Sequence, residues 1–486
     1  MTYLGLDLGT TATKAILVDD GQTVLAAATA ASQVLQPRPG ISEQDPESWI
    51  AAARAVLAQL RADAPQAFAA VRAIGLSGQM HSVAPLDRDW RPLRPALLWN
   101  DERGQDQALR LQQAVPGLAR ITGVRPMASF SAAKLLWLKD DEPALFARIR
   151  HVLWPKDYLR LWLTGQAASD MSDAAGTQLF DQAARAWSAP ILGAIGLDGA
   201  TLPPLSEGTA PAGHLRPAVA RELGLSPDVV VATGGGDTPV GAAGLGCADA
   251  GQAFLSLGTG AVYVAVRESY DPDPDISLHD FAHCLPGRWY QMAAMLNGGS
   301  CLAWVAALCR EPDIAALLDK VQARGAAPGR ILFQPYLRGE RTPYHDPAAR
   351  GAFIGLDAMT DEVDLARAVL EGVAFSLRLG QDLLAGRQSP AGPLPIIGGG
   401  GRSLAWTRII ATVLDRPLVI PHNAEHAAAL GAARLAMIAH GTSQADALRP
   451  FNPARTVEPD RDAVPLYAER YARFRRLYPA LHDLTA

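Results

Sequence analysis

One aspartate follows directly after a run of three glycines, at the end of an apolar segment. The segment 229–233 has the pattern of a buried strand, and the glycines 234–236 separate it from Asp237. Glycines leave backbone room around a carboxylate at a strand end, and an aspartate that titrates near ~3.9 is ionised at neutral pH. These properties suit a general base that takes a proton from a bound hydroxyl. A helix-capping aspartate is the alternative, because Pro239 follows two residues later.

Two short loops combine small residues with threonine hydroxyls, a composition typical of phosphate binding. In the first, Gly9, Thr10 and Thr11 form a turn whose free backbone N–H groups can approach a phosphate, with Lys14 as a nearby cation. The second is the Gly-Thr-Gly run 258–260. A plain hairpin turn is the alternative for each loop alone, and the presence of two such loops favours phosphate binding.

A third glycine run, 398–401, follows the apolar strand 394–397 and precedes a helix that begins near Ser403. A strand, a glycine loop and a helix N-terminus can hold a nucleotide phosphate, because the backbone packs closely and the helix dipole favours anions. The run lacks the GxGxxG spacing, and no Gly-Lys-Ser/Thr follows, which disfavours a Rossmann or a Walker site. A structural glycine turn remains the alternative.

Two further strand ends are dense in hydrogen-bonding groups. Residues 77–81 read Ser-Gly-Gln-Met-His after one strand, and residues 99–103 read Trp-Asn-Asp-Glu-Arg after another. A sugar or polyol needs such groups, although each segment alone is also compatible with an ordinary loop. A different motif, His-Asn-Ala-Glu-His at 422–426, matches the H-x-x-E-H zinc pattern. Pro421 precedes it, so we expect His422 to lie before the helix and disfavour zinc.

The elements that would position these residues alternate between strands and helices. Residues 3–18 predict a β-hairpin, and Asp45-Pro46 predicts the start of a helix with Asp45 as its N-cap. Long helices are predicted over 361–383, capped by Thr360, and over 403–414. The other predicted strands are 71–77, 93–99, 229–233, 253–257, 261–266, 290–296, 394–397 and 418–420. This alternation predicts the α/β class.

An internal echo predicts two similar domains. Asp7-Leu8-Gly9-Thr10 is answered by Ser-Leu-Gly-Thr at 256–259, each within a strand–turn–strand pattern. Four residues of similarity are weak alone, but they fall at matching places in the two halves of the chain. We expect one domain over residues 1–246 and a second over 247–486, with the hinge near 244–251 and a shared cleft between them.

Composition excludes several classes of protein. The 486 residues are 49% hydrophobic and 19% charged, which fits a folded protein of at least two domains and not a disordered one. A net charge of −5 without a basic run predicts no binding to nucleic acid or to a membrane surface. The uncharged stretch 289–309 is interrupted by Asn-Gly-Gly-Ser, so we read it as a strand and a helix. No basic segment resembling a signal peptide opens the sequence, and we expect a cytoplasmic protein.

Read together, these motifs resemble the FGGY carbohydrate kinases over nearly the whole chain. Two long patterns match the family closely, although Asp141 in the first stands where Glu, Asn, Gln or His is usual. The first pattern contains Ser131, Lys134 and Trp137, and the second contains Gly351, Phe353, Gly355, Leu356, Asp364, Leu365, Ala368 and Glu371. The shorter matching stretches are 7–10, 78–81, 98–101, 155–158, 169–177, 236–237, 257–259, 339–343 and 429–433.

The resemblance implies two ribonuclease H-like, actin-type domains on either side of a deep catalytic cleft. It implies transfer of the γ-phosphate of Mg²⁺-bound ATP to the 5-hydroxyl of D-xylulose. D-xylulose and ATP are then the partners. The sequence does not decide whether the protein forms a homodimer. The alternatives are a kinase for ribulose, deoxy-xylulose, glycerol or another polyol, and, less favoured, an actin-like ATPase that is not a kinase.

The resemblance also assigns residue roles. Asp237 matches the catalytic base, and Asp7 matches the acid linked to Mg²⁺, through water. The expected sugar-binding residues are Gln79, Met80, His81, Asn100, Asp101 and Asp237. The expected ATP-binding residues are Thr10, Thr11, Lys14, Gly258, Thr259, Gly299, Gly399, Gly400 and Ser403. One departure concerns the sugar pocket, because Thr238 and Pro239 follow the base where the family commonly has asparagine.

Overall fold

The computed structural model describes residues 1–386 and 392–485, and its N-terminal half is built on a seven-stranded sheet. The first three strands form an antiparallel meander, as the alternation of apolar runs and small-residue turns predicts. Parallel strands extend the sheet beyond the first strand. The seven strands are Thr2–Leu8, Ala12–Asp19, Val24–Ala31, Val71–Gly78, Pro211–His214, Val230–Ala232 and Gly235–Gly236.

Helices and short two-stranded sheets cover this first sheet. The helices are Pro46–Asp63, Pro65–Ala69, Gln105–Ala114, Leu118–Thr122, Ser131–Asp141, Pro143–Phe146, Pro155–Thr164, Met171–Ala175, Ala189–Ile195, Pro217–Leu223 and Asp237–Gly244, with a 3₁₀ turn at Gly199–Thr201. The short pairs are Glu43–Gln44 with Ala96–Leu97, Ala84–Leu86 with His151–Leu153, Phe180–Asp181 with Ala186–Trp187, and Ser169–Asp170 with Leu205–Ser206. The strand predicted over 93–99 is thus limited to Ala96–Leu97.

The C-terminal half contains a second seven-stranded sheet. Its strands are Ala253–Leu257, Ala261–Arg267, Leu278–Ala282, Trp289–Met295, Leu394–Ile397, Leu418–Pro421 and Pro453–Val457. A separate pair joins Leu332–Gln334 to Ala352–Ile354. The helices are Gly299–Leu308, Ile314–Ala323, Glu362–Ala385, Leu404–Leu414, Ala427–Ala439, Gln444–Ala447, Val464–Phe474 and Leu477–Thr485, with 3₁₀ turns at Gly399–Arg402 and Ala424–His426.

The two sheets share one strand order. If the five shared strands of each sheet are numbered along the chain, their order in space is 3-2-1-4-5, with the first three antiparallel and the last two parallel. The predicted echo lies at equivalent places, because Gly9–Thr10 and Gly258–Thr259 each follow the first strand of their sheet. This repeat confirms the α/β class and the two ribonuclease H-like, actin-type units.

Helix starts follow the predicted caps with one exception. The Asp45 side chain accepts a hydrogen bond from the Glu47 N–H, as expected of the N-cap. The prediction that Thr360 caps the long helix is wrong, because Asp361 is the N-cap. Its side chain accepts a hydrogen bond from the Asp364 N–H, and the Asp364 side chain accepts one from the Asp361 N–H. This reciprocal capping box satisfies two backbone donors, whereas a cap by Thr360 would satisfy one.

One helix of the second half packs on the first sheet. This crossing helix, Ala427–Ala439, lies against the strands Thr2–Leu8 and Val71–Gly78 and across the helix Asp237–Gly244. The two helices meet through their backbones: a Cβ on Gly244 would lie 1.8 Å from the carbonyl oxygen of Ala427. A Cβ on Gly431 would lie equally close, 1.8 Å, to the carbonyl oxygen of Val240. Glycine is therefore required on both sides of the crossing.

The uncharged stretch 289–309 forms the strand Trp289–Met295 and the helix Gly299–Leu308, as predicted. Within the described ranges, no helix has both the length and the apolar composition that crossing a membrane requires.

Candidate active site

The two candidate catalytic carboxylates lie on one edge of the first sheet. Asp7 is paired with Ser77 in the parallel ladder, and Gly236, next to Asp237, is paired with Gly78 two strands away from Asp7. Parallel strands end at the same edge, which brings the two acids close together. Ser77 Oγ donates a hydrogen bond of 2.8 Å to Asp7 Oδ1. The Oδ2 atom of Asp7 accepts no hydrogen bond from the described part of the chain.

Asp237 is the first residue of the helix Asp237–Gly244, and Gly236 is the N-cap. The alternative that Asp237 is only a helix cap is therefore wrong. Among the described hydroxyl groups, Thr238 Oγ1 is the one that donates to the Asp237 carboxylate, and this hydrogen bond is long, 3.3 Å. The carboxylate is thus not committed to a strong structural partner.

Burial changes the acidity of both carboxyl groups. It raises the pKa of Asp237 to about 7, and the negative charge of Asp7 contributes to this increase. Burial also raises the pKa of Asp7, although the hydrogen bond from Ser77 and the charge of Lys14 oppose the increase. The expectation that Asp237 keeps the acidity of a free aspartate is therefore wrong, because protein atoms replace much of the water around its carboxylate and Asp7 adds a like charge. A base with a pKa near the operating pH is well suited to take a proton.

A cleft of about 820 Å³ opens beside Asp237 and is lined by both halves of the chain. Five of the predicted site residues line it, namely Asn100, Asp101, Asp237, Gly258 and Thr259. The Oδ1 atom of Asn100 is buried without a hydrogen-bond partner in the described structure, which leaves it available to a ligand. Asp101 is already engaged, because it accepts from Arg103 and from the Ser42 N–H.

Met80 lies beside Gly236, the residue that precedes Asp237, and His81 follows Met80 in the chain. Met80 packs on Gly236 so closely that a Cβ there would lie 2.6 Å from the Met80 sulfur. His81 Nδ1 contacts the carbonyl oxygen of Gly176, which can only accept, so Nδ1 carries the proton and Nε2 is left as an acceptor. Burial lowers the pKa of His81 to about 3, so the ring is neutral.

Gln79 connects the first phosphate loop to the core. Its Oε1 accepts from Thr10 Oγ1 at 2.9 Å, and its Nε2 donates to Gln44 Oε1 at 2.8 Å. Trp99 Nε1 donates to the same Thr10 hydroxyl at 2.9 Å. The structure therefore places Gln79 in the support of the Thr10 loop, while Met80 packs on Gly236 and His81 contacts Gly176.

The remaining residues of the first loop lie at the same edge of the sheet. Lys14 is opposite Asp7 in the hairpin, and its ammonium group donates to the carbonyl oxygen of Glu425 at 2.8 Å. Thr11 is exposed at the turn. His426 lies close enough to oppose the rise in the Asp7 pKa. Among the described residues, which include the 422–426 motif, no group of three or more His, Cys, Asp or Glu side chains is arranged to hold a metal ion.

Three glycine loops of the second half lie side by side. The Gly299 N–H donates to the carbonyl oxygen of Gly258 at 2.7 Å, and the Ser300 N–H donates to that of Thr259 at 3.1 Å. Gly400 touches the strand before Gly258, because a Cβ on it would lie 2.5 Å from Leu257 Cδ2. Gly399 and Gly400 form a 3₁₀ turn that ends at Ser403, whose Oγ accepts from the Trp406 N–H at 3.2 Å and caps the next helix. These loops present backbone groups along one edge of the second sheet.

Sequence reasoning missed one segment that lines the cleft, residues 338–347. Arg338, Glu340, Arg341 and His345 line the cleft from it. Glu340 accepts from the Leu296 N–H at 2.7 Å, and burial raises its pKa to about 7. The run 339–343 had been matched to the family but given no role. Its charged residues were the signal that could have indicated a contribution to the site.

Comparison with known proteins agrees with this arrangement. The model of the FGGY carbohydrate kinase N-terminal domain matches residues 2–244, and that of the C-terminal domain matches residues 253–440. The chain is 42% identical over 488 residues to the xylulose kinase of Escherichia coli (strain K12), with 100% of both chains covered. It is 41% identical over 484 residues to the xylulose kinase of Klebsiella pneumoniae, with 99% of each covered.

A solved structure extends the match to the fold. A crystal structure from Brucella ovis, described as a xyloylose kinase, superposes with a TM-score of 0.96 at 44% identity and covers 100% of both chains. Full-length sequence similarity thus accompanies the strand order, the two carboxylates at the edge of the first sheet and the glycine loops at the edge of the second sheet. The chain belongs to the FGGY family of carbohydrate kinases.

Proposed function

We propose that this carbohydrate kinase transfers the γ-phosphate of ATP to the 5-hydroxyl of D-xylulose and releases D-xylulose 5-phosphate and ADP. The observation that carries the proposal is that Asp237 shares one cleft with the Gly258–Thr259 loop of the opposite half. The identity of 41–42% to xylulose kinases over the whole chain supports the choice of sugar. Phosphoryl transfer needs positioning and charge neutralisation more than covalent chemistry, and this cleft can supply both.

Asp237 is the base in this reaction and accepts the proton of the sugar hydroxyl as it attacks the γ-phosphate. Asn100 Oδ1 and His81 Nε2 are the free acceptors that orient the other hydroxyls. The Thr10 loop and the loops at Gly258–Thr259, Gly299 and Gly399–Gly400 hold the phosphates with backbone N–H groups. Thr11, Lys14 and Ser403 lie at the edges of these loops and complete the proposed nucleotide site.

Asp7 fits the requirements of a Mg²⁺ ligand. Mg²⁺ takes oxygen ligands, keeps several waters and uses one or two carboxylates together with substrate phosphates. Asp7 Oδ2 is free of hydrogen bonds from the described residues and lies at the sheet edge beside Asp237. When bound, the ion supplies positive charge to the phosphates. Asp7 would hold it, through water, next to the attacking hydroxyl.

The substitution Asp7→Ala is expected to lower kcat by at least about 100-fold at saturating sugar, because the developing phosphate charge loses its neutralising partner. Steady-state kinetics with D-xylulose at several Mg²⁺ concentrations provide the measurement. Asp19→Ala is the matched control, since Asp19 lies at the far end of the same hairpin, opposite Thr2. Recovery of wild-type turnover by sugar alone would contradict the metal role.

The sugar preference is expected to be D-xylulose over D-ribulose, with glycerol a very poor substrate. D-ribulose differs only in the configuration at C3, whereas glycerol leaves Asn100 or His81 without a hydroxyl. A site that hydrogen-bonds particular hydroxyls rejects analogues lacking them by about 10⁴ in favourable cases. A coupled assay of ADP release across these sugars tests the order in kcat/KM. If glycerol or D-ribulose ranks first, the choice of sugar is wrong and the assignment to carbohydrate kinases is unaffected.

A further inference from the structure

A buried cluster of charged residues lies directly beneath the turn 234–237. Lys156 forms ion pairs with Asp157, with Asp170 at 2.8 Å and with Asp173 at 3.3 Å, and Arg160 pairs with Asp157 at 2.9 Å. All five side chains are fully buried. Buried charges are costly unless they are paired, so each charged side chain of this cluster depends on its partners. Nothing in the reaction described above makes use of it.

The cluster holds both ends of the catalytic turn. Arg160 Nη1 donates to the carbonyl oxygen of Thr233 at 2.7 Å, directly before the turn. At the other end, the Gly236 N–H donates to Ser172 Oγ at 3.1 Å, directly before Asp237. The backbone on each side of the glycines 234 and 235 is therefore hydrogen-bonded to buried side chains outside the turn.

The direction of the Ser172 hydrogen bonds is set by Asp170. Ser172 Oγ donates its single proton to Asp170 Oδ2, and that carboxylate oxygen also accepts from the Ser172 N–H at 2.7 Å. With its proton committed to a carboxylate, the hydroxyl can only present a lone pair to the Gly236 N–H. Ser172 therefore connects the ion cluster, through Asp170, to the residue that precedes Asp237.

We propose that Ser172 is a positioning residue that orients the Asp237 carboxylate toward the sugar hydroxyl. The Gly234–Gly236 run has few conformational restraints of its own, so the orientation of Asp237 depends on external contacts. Besides the pairing of Gly236 with Gly78 in the sheet, the bond from the Gly236 N–H to Ser172 acts on the residue directly before Asp237. This inference rests on the proposed role of Asp237 as the base.

The test is the substitution Ser172→Ala, measured as kcat and KM for D-xylulose. Loss of the bond frees the Gly236 N–H, and misplacement of a catalytic group by about 1 Å can cost 10²-fold. We expect kcat to fall by roughly 10- to 100-fold with KM changed by less than about 3-fold, as for an interaction needed only in the transition state. Ser169→Ala is the matched control, because the Ser169 hydroxyl is equally buried but has no described partner.

A double-mutant cycle distinguishes positioning from a general structural effect. If Ser172 acts through Asp237, the Ser172→Ala change causes no further loss in the Asp237→Asn background. Equal losses in both backgrounds would overturn the inference. So would wild-type kcat in Ser172→Ala when Asp237→Asn is impaired, and this outcome would leave the proposed function intact. Wild-type protein without sugar-dependent ADP release would instead remove the proposed function itself.

The variant Ser172→Cys covers the case in which Ser172→Ala fails to fold. Its thiol fills the same space but is a weak donor and a weak acceptor. We expect a native melting temperature together with a kcat that is reduced at least about 5-fold, since the restraint on the turn is weakened and not removed. Full kcat in a natively folded Ser172→Cys protein would overturn the proposal.

Discussion

The substitution Asp237→Asn is expected to reduce kcat by roughly 10²–10⁴-fold while the fold remains intact. The amide keeps the shape of the carboxylate but cannot accept the proton of the sugar hydroxyl. Because the hydrogen bond that Thr238 Oγ1 donates to this side chain is long, 3.3 Å, the change removes little structural support. Turnover of D-xylulose, together with the melting temperature, provides the measurement.

The acidity of Asp237 adds a second signature to the same experiment. Its pKa is raised to about 7, mainly by burial, so the carboxyl group is protonated and inactive as a base at lower pH. The kcat/KM of the wild-type protein is therefore expected to fall as the pH decreases below about 7, and this dependence should vanish in Asp237→Asn. Ionisation of the free enzyme governs this parameter, so kcat/KM and not kcat is the quantity to follow.

The control for this prediction is Asp228→Asn, the same chemical change at an exposed aspartate. Asp228 lies just before the strand Val230–Ala232, and Asp237 lies after it. Wild-type kinetics are expected for it. If Asp237→Asn also turned over D-xylulose at the wild-type rate with an unchanged melting temperature, Asp237 would not be the base.

The positions of the strands and the internal repeat were accessible from the sequence because they depend on local patterns. Apolar runs broken by small-residue turns placed seven of the eight strand segments predicted beside the first hairpin close to their observed bounds, including 253–257 and 394–397. The match between residues 7–10 and 256–259 indicated the repeat before any contact was known. These signals are short-range, and the prediction of two similar domains follows from them.

Contacts between distant segments could not be predicted in this way. The pKa of Asp237 depends on its burial and on the charge of Asp7, 230 positions earlier in the chain. Gln79 donates a hydrogen bond to Gln44, and the Gly236 N–H donates one to Ser172. In each case the residue type was visible in the sequence, but its partner lies on another element. The roles of single residues therefore had to come from the structure.

The crossing helix Ala427–Ala439 shows the same limit and gives a prediction about stability. Its sequence is rich in alanine and predicts a helix, but not that the helix packs on the sheet of the other half. A glycine at position 244 lets the helix Asp237–Gly244 approach it at backbone distance. The requirement for glycine there is set by a contact with Ala427, which is 183 positions later in the chain.

The substitution Gly244→Ala is expected to lower the free energy of unfolding by about 3 kcal/mol or more, because its Cβ would lie 1.8 Å from the Ala427 carbonyl oxygen and both helices would have to separate. Gly241→Ala is the matched control in the same helix. A Cβ on Gly241 has no neighbour within 4 Å, so alanine there should stabilise by roughly 0.5–1 kcal/mol through reduced backbone freedom in the unfolded chain. Urea unfolding of the unliganded proteins compares the midpoints. Equal midpoints for the two variants would mean that the helices tolerate a wider separation, and that the crossing does not depend on backbone contact.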